Sequence, residues 1–132
     1  MKYLIDTNIL LEILLGQAHA QKAKEFLRTS AQEGAAVSDF ALFSIGIRLF
    51  RLQKHSTYSE LIRDLFQNGD FRLVSLPVDQ AEMLVNTATQ YQLDFDDAYH
   101  YAIAEYFDLV IVSFDGDFDK TPRGRVNPAN IS

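Results

Sequence analysis

Acidic side chains border apolar segments in three distant parts of the chain. Asp6 ends the opening segment KYLID, and Asp97 stands at the head of a stretch with apolar residues at helical spacing. Asp115 and Asp117 come directly after the apolar run LVIV. Carboxylates repel one another unless protons or cations neutralise them, so a shared cluster of these acids would suit a divalent metal ion. The ligands are hard oxygens and the chain has no cysteine, which favours Mg²⁺ or Mn²⁺.

Strands and helices alternate along the sequence and would bring these acids together. Short apolar runs predict strands at residues 2–6, 35–38, 71–75 and 109–112. Apolar residues at helical period predict helices at 8–15, 18–32, 39–53, from 56 or 57 to 66, at 78–91, and from 96 onward. Such alternation is typical of a parallel sheet with right-handed crossovers. Because ligands gather at the carboxyl ends of such strands, we expect the acids beside one crevice.

Three motifs resemble a known family. The pattern LIDTN near the start, DDA leading an alanine-bearing helix, and VSFDGDF after it are similar to the PIN domain, a metal-dependent ribonuclease fold that includes VapC-type toxins. The motifs fall in the family's order and cover nearly the whole chain. The resemblance implies a three-layer α/β/α fold with a central, mostly parallel sheet of four or five strands, forming a single domain over residues 1–132.

The resemblance also implies an activity and a set of site residues. The activity is hydrolysis of RNA phosphodiester bonds by an Mg²⁺- or Mn²⁺-dependent endoribonuclease, with the toxin of a toxin–antitoxin pair as one form of it. Asp6, Asp97 and Asp115 would be the catalytic metal ligands, with Asp117 as an accessory ligand. Thr7, Asn8 and Ser113 would orient the Asp6 carboxylate or the substrate phosphate. Of the three histidines, only His100 lies near this predicted site.

One position departs from the family pattern. The family places a glutamate on the helix after the second strand, and alignment on the serine that ends the strand puts Ser44 there. No shift of the alignment recovers it, because residues 40–47 contain no acid. Asp39 is predicted to point away, about 140° around the helix from Ser44. The alternative function is therefore a catalytically weakened or inactive PIN-like binding or regulatory protein.

Each acid also has a purely structural interpretation. Asp6 could cap a helix, and Asp96 and Asp97 suit a first helical turn, where the helix dipole favours an acid by about 0.3–1 kcal/mol. Asp115 with its following glycine suits a turn. It is the combination of these acids with the three motifs that favours a shared metal site.

Composition limits the classes of protein that fit. The 132 residues carry a net charge of −6, which argues against broad electrostatic binding of nucleic acid. No cysteine means no disulfide framework, and no apolar run approaches the ~18 residues of a membrane span. The start has no signal-peptide pattern. We expect a cytoplasmic protein that is not bound to a membrane.

Partners are predicted from the resemblance and from surface patterns. An RNA substrate and an antitoxin protein follow from the resemblance, and a homodimer follows from it together with the apolar third helix. Lys120, Arg123 and Arg125 form a basic group beside the last acids, which could either grip a phosphate backbone or be solvated surface. Arg48 could instead neutralise the acidic pocket.

Overall fold

Within residues 1–130 the sheet contains four parallel strands. The computed structural model describes residues 1–130, and the strands are β1 (Tyr3–Ile5), β2 (Ala35–Ser38), β3 (Arg72–Val74) and β4 (Val110–Val112). Their order across the sheet is β3-β2-β1-β4, so β1 lies between β2 and β4, and β4 is an edge strand. The predicted α/β class with a parallel sheet of four or five strands is confirmed, at four strands.

Six α-helices connect and cover the strands in the described part of the chain. They are α1 (Thr7–Leu14), α2 (Ala20–Glu33), α3 (Asp39–Arg51), α4 (His55–Ile62), α5 (Ala81–Tyr91) and α6 (Phe95–Phe107). A π-helical turn, Arg63–Gln67, follows α4. Short 3₁₀ turns lie at Val78–Gln80, Gly116–Lys120 and Pro128–Asn130.

Alternate strand residues face opposite helical layers, as the period of two in a strand requires. On one face, Leu4 and Ile111 pack in a core with α5 and α6, centred on the buried Tyr101. On the other face, Ile5 and Val37 pack in a second core with α1 to α4. The sheet is therefore covered on both sides, which is the predicted three-layer arrangement.

Strand register sets the position of the candidate site. Ile5 of β1 pairs with Val37 of β2 and with Val112 of β4. The next residues, Asp6, Ser38 and Ser113, therefore stand side by side at the carboxyl edge. The Asp6 amide donates to the Val112 carbonyl at 2.9 Å, which extends the ladder to this edge.

Several local predictions were wrong. Lys54 precedes α4 without a side-chain cap, so neither Ser56 nor Thr57 caps this helix, and the chain continues to Gln67 as a π-helical turn. The helical spacing of Ala81, Leu84, Val85 and Ala88 predicts that Val85 points inward, but Val85 is 61% exposed. The sequence also suggests a short edge strand near residues 125–127, but these residues form only a single parallel bridge, between Val126 and Val112.

The C-terminal region is only partly loop. Residues 120–132 hold two of the three prolines of the chain and are therefore predicted as a loop, but they contain the 3₁₀ turn Pro128–Asn130. The last two positions of that loop lie outside the described residues. Across residues 1–130, the structure has no helix of the length and apolarity needed to cross a membrane.

Candidate metal centre

Three carboxylates converge at the carboxyl edge of the sheet. Asp97, Asp115 and Asp117 each offer an oxygen, and these oxygens all lie within 4.8 Å of one another. Asp97 is buried in the first turn of α6, Asp115 is half-buried after β4, and Asp117 is exposed. The structure thus brings together two regions that the sequence separates by eighteen or more residues.

The loop after β4 is shaped by its own acid. The Asp115 carboxylate accepts the Asp117 amide N–H at 2.9 Å, and so begins the 3₁₀ turn Gly116–Lys120. The turn interpretation of Asp115 therefore holds as well. It does not compete with a metal site, because a carboxylate has two oxygens and about four acceptor positions.

Asp6 is fixed by two hydrogen bonds on neighbouring elements. One carboxylate oxygen caps α1 by accepting the Thr7 amide N–H at 2.7 Å, and the other accepts the Ser113 hydroxyl at 2.6 Å. Asp6 is 6% exposed and lies outside the group of three acids described above. Its charge nevertheless contributes to the electrostatic environment of Asp97.

Ser113 joins the two strand ends. Its hydroxyl oxygen accepts the Asp115 amide N–H at 2.9 Å and the Asn8 side-chain N–H at 3.2 Å, while its proton goes to Asp6. The Asn8 carbonyl oxygen in turn accepts the Phe114 amide N–H at 3.2 Å. Asn8, in the first turn of α1, and Ser113, directly after β4, therefore orient the loop that carries Asp115.

Thr7 has a different environment. Its hydroxyl oxygen is buried and forms no hydrogen bond with any residue in the range 1–130. A buried hydroxyl without a partner costs about 1–3 kcal/mol, so such a group is notable beside a ligand site.

Among the described residues, the charged groups that shift the pKa of Asp97 are all acidic. Burial, then a hydrogen bond and repulsion from Asp115, and then the charges of Asp96 and Asp6 raise the pKa of Asp97 to about 8. A divalent cation would reverse this effect, because it favours the ionised form. Mg²⁺ binds oxygen at 2.0–2.1 Å, so its ligands lie at most about 4.2 Å apart. The observed spacing needs only a small contraction, and the donor set fits a divalent ion.

His100 is a component that sequence reasoning placed only loosely. It is 1% exposed, with Nε2 at 2.7 Å from the Ser38 hydroxyl and Nδ1 at 3.4 Å from an Asp6 oxygen. Ser38 also caps α3 by accepting the Ala41 amide N–H at 2.9 Å. His100 thus links the ends of β1 and β2 beneath the acids. Its spacing of three residues from Asp97 was the only sequence pattern that placed His100 near the site. No sequence pattern indicated its contact with Ser38.

Ser44 of α3 stands where the family pattern has a glutamate. Ser44 is half-buried on α3. Asp39 lies in the first turn of α3, as expected, and its carboxylate accepts the Tyr99 hydroxyl at 2.8 Å and the Phe40 amide N–H at 2.8 Å. Asp39 therefore has its own structural partners and does not replace the missing acid in the group of three.

The basic group near the acids is already engaged. Arg125 forms a two-pronged ion pair with Asp119 at 2.9 and 3.0 Å and donates to the Ser113 carbonyl at 3.2 Å. Arg123 contacts Glu105 and Asp108 at 3.3 and 3.2 Å. These two side chains are therefore not simply solvated, because acidic side chains hold both of them. The same ion pairs leave them poorly placed to bind a phosphate backbone.

A parallel sheet with acids at its carboxyl edge defines a class of α/β proteins that bind ligands there. Within that class, the chain belongs to the PIN domain family, whose sequence pattern matches residues 3–124. A comparison with curated protein sequences finds no match.

Solved structures share the fold at low sequence identity. The toxin–antitoxin complex from Klebsiella pneumoniae is 23% identical, with a TM-score of 0.76, over 98% of this chain and 100% of that one. VapBC2 from Rickettsia felis, bound to a DNA fragment from its promoter, is 16% identical, with a TM-score of 0.77, over 96% and 97%. VapC20 from Mycobacterium tuberculosis, described as a sarcin-ricin loop cleaving toxin, is 20% identical, with a TM-score of 0.76, over 92% and 95%.

Proposed function

We propose that this chain is an Mg²⁺- or Mn²⁺-dependent endoribonuclease whose single domain hydrolyses RNA phosphodiester bonds. The observation that carries the proposal is the convergence of Asp97, Asp115 and Asp117, with oxygens within 4.8 Å of one another and a raised pKa at Asp97. Membership of the PIN domain family supports a nuclease. A cytoplasmic site of action follows from an RNA substrate.

Each polar residue has a defined part in this proposal. Asp97, Asp115 and Asp117 would hold the ion together with Asp6, directly or through water. When bound, the ion would lower the pKa of a water ligand and stabilise charge on the phosphate. Ser113 and Asn8 hold Asp6 and the Asp115 loop in place, and the Thr7 amide N–H holds the Asp6 carboxylate. A substrate contact by Thr7 would require its buried hydroxyl, which has no partner within residues 1–130, to become accessible.

The test compares Asp97→Asn with the natural chain. We expect the variant to bind Mn²⁺ at least about 10-fold more weakly by calorimetry and to lose RNA cleavage by about 100-fold or more. Asp94→Asn is the matched control, because Asp94 precedes the same helix, is exposed and forms no side-chain cap. Cleavage that survives Asp97→Asn would contradict the proposal, and so would the absence of metal binding in both proteins.

A second candidate function follows from Ser44. Without the family glutamate, the chain could bind metal and RNA without cleaving, as a binding or regulatory protein. The variant Ser44→Glu distinguishes the two functions. If the natural chain binds Mn²⁺ but does not cleave RNA, and Ser44→Glu does cleave it, then the serine at this position is what prevents cleavage. Ser44→Gln is the control, because it adds the same length without the charge. Cleavage by the natural chain would exclude this alternative.

The toxin role extends the proposal to the cell. Two of the solved relatives are toxin–antitoxin assemblies, which supports an antitoxin partner for this chain. A cavity of about 330 Å³ between α1, α2, α4 and the π-helical turn would be a contact site for such a protein. Its lining combines apolar side chains, among them Leu10, Ile13, Leu14 and Leu27, with the charged Lys24, Arg28, Glu60 and Asp64. Expression of the natural chain should slow bacterial growth while Asp97→Asn should not. Equal growth with both would contradict the toxin role.

A further inference from the structure

Three aromatic side chains form a cluster beside the acids. Phe95 opens α6, and its ring stacks on that of Tyr99 one turn later, with centroids 5.8 Å apart and planes inclined by 15°. Phe40 of α3 lies against both, at 5.9 and 6.1 Å. Phe95 is 60% exposed, whereas Phe40 and Tyr99 are half-buried. The cluster thus presents one large ring to solvent on a packed base.

The base of this cluster is held rigidly. The Tyr99 hydroxyl donates to Asp39 at 2.8 Å and accepts the Leu76 amide N–H at 3.1 Å. These contacts tie the ring to the starts of α3 and of the segment after β3. Phe40 also packs edge-on against His100, whose centroid is 6.0 Å away. A rigid aromatic surface loses little conformational entropy when a planar ligand stacks on it.

The cluster lies along the same sheet edge as the acids. Asp39 and Leu76 follow β2 and β3, whereas Asp6 and Asp115 follow β1 and β4. On α6, Phe95 and Asp97 are two residues apart, so their side chains point about 160° apart around the helix axis. The Phe40 ring packs against His100, whose Nδ1 lies 3.4 Å from an Asp6 oxygen, so the aromatic cluster lies beside the acids. The base of a nucleotide near the scissile phosphate would reach it.

Charge favours a base over a phosphate as the group that binds here. The net charge of the chain is −6, and Arg123 and Arg125 already pair with acids. Electrostatic attraction for a polynucleotide backbone is therefore weak. Stacking of a base on an aromatic side chain needs no positive charge and is used widely for single-stranded nucleic acid.

We propose that Phe95, supported by Tyr99 and Phe40, is a stacking site for a nucleobase of single-stranded RNA. The inference rests on the proposed ribonuclease function for its choice of RNA. It specifies the substrate further: an unpaired segment, with a base splayed out from its neighbours. Because every base has an aromatic face, the site selects for single strands more than for sequence.

The first experiment measures stacking without relying on cleavage. The chain has no tryptophan, so Phe95→Trp introduces a single fluorescent reporter. The probe is oligouridine of about eight nucleotides, and an abasic oligonucleotide of the same length is the comparison. Both are titrated in an Asp97→Asn background. We expect saturable quenching by oligouridine and none by the abasic chain.

Tyr106→Trp is the matched control. Tyr106 is 48% exposed on the same helix, nine residues beyond Asp97, or about 14 Å away. We expect no saturable quenching there. Equal quenching at both positions, or equal quenching by the abasic probe, would overturn the stacking site.

The second experiment separates this inference from the proposed function. Phe95→Leu keeps an apolar side chain but removes the ring, and we expect a KM for RNA about 5- to 100-fold higher with unchanged Mn²⁺ affinity. If Phe95→Leu cleaves RNA as well as the natural chain and Phe95→Trp shows no quenching, the stacking site is overturned while the ribonuclease function is retained. Quenching without cleavage by the natural chain would support stacking and sink the nuclease. A change of oligomeric state alone in Phe95→Leu would identify a protein interface and overturn stacking.

Discussion

Asp97 is buried beside Asp115, and burial together with the neighbouring carboxylates raises its pKa to about 8. An unfolded chain has an ordinary aspartate pKa of about 3.9. Between these values the folded protein holds a proton that the unfolded chain has lost, so stability must fall as pH rises from about 4 to about 8. Above pH 8 this contribution is constant.

This gives a prediction for the metal-free protein. Its melting temperature in a chelating buffer should fall between pH 5 and pH 8 by several degrees, at about 3–6 °C per kcal/mol for a chain of this size. Asp97→Asn should flatten this dependence of the melting temperature on pH, and saturating Mg²⁺ should raise the melting temperature of the natural protein at pH 8. A natural profile that rises over this range would show that Asp97 is ionised and compensated without metal.

Individual site residues were predictable to different degrees. Asp6, Asp97 and Asp115 stand next to strands and helix starts, so local patterns place them at the sheet edge. The contact between His100 and Ser38 joins residues 62 apart. No periodicity encodes such a contact, because it depends on how α6 lies across β2.

At the scale of elements, one hydroxyl both begins a helix and holds the site histidine. Ser38 accepts the Ala41 amide and contacts His100 at 2.7 Å. We expect Ser38→Ala to lower the free energy of unfolding by about 2–4 kcal/mol, since it removes a cap and leaves a buried ring nitrogen without its partner. Urea denaturation of the metal-free protein measures this.

Ser30→Ala is the control for that measurement. Ser30 is equally buried, but its hydroxyl donates to the Leu27 carbonyl within α2, where alanine is the better helix former. We expect a change below about 1 kcal/mol. Similar losses at both serines would show that burial of a hydroxyl, and not the cap and the histidine contact, determines the effect.

Element types were more predictable than their ends. All four strands and six helices of the described part follow from apolar periodicity, because both faces of the sheet are buried. The π-helical turn after α4 does not, since it depends on how Leu65 reaches the core between α1 and β3. Similarly, Val85 has a helical spacing typical of a core residue but faces solvent.

At the scale of the whole molecule, α3 exposes an apolar face. Phe43, Ile47 and Phe50 are 66%, 55% and 49% exposed and follow one another at helical spacing. With Gly46, Arg51 and Tyr58, they line an open cavity of about 500 Å³. Exposed apolar patches of this kind mark association surfaces, so we expect the homodimer that the sequence suggested to form here.

Sedimentation at micromolar concentration tests the dimer. Ile47→Lys should sediment as a monomer, whereas the natural chain should not, because a charge in an apolar interface is costly unless paired. Val85→Lys is the control, since Val85 is 61% exposed on α5 and outside this face. A natural chain that is already monomeric, or a dimer that survives Ile47→Lys, would contradict this interface.

The net charge of −6 makes a final prediction about RNA binding. Affinity that comes mainly from phosphate neutralisation falls steeply with salt, with a slope near −0.7 per phosphate for single strands, whereas base stacking neutralises no phosphate and adds nothing to this slope. With Arg123 and Arg125 engaged by acids, we expect a slope no steeper than about −2 for oligouridine binding. Phe95→Leu should weaken binding at every salt concentration and leave the slope unchanged. A slope of about −4 or steeper would mean that these arginines leave their carboxylates to meet phosphate, and that electrostatics, not the aromatic surface, holds the RNA.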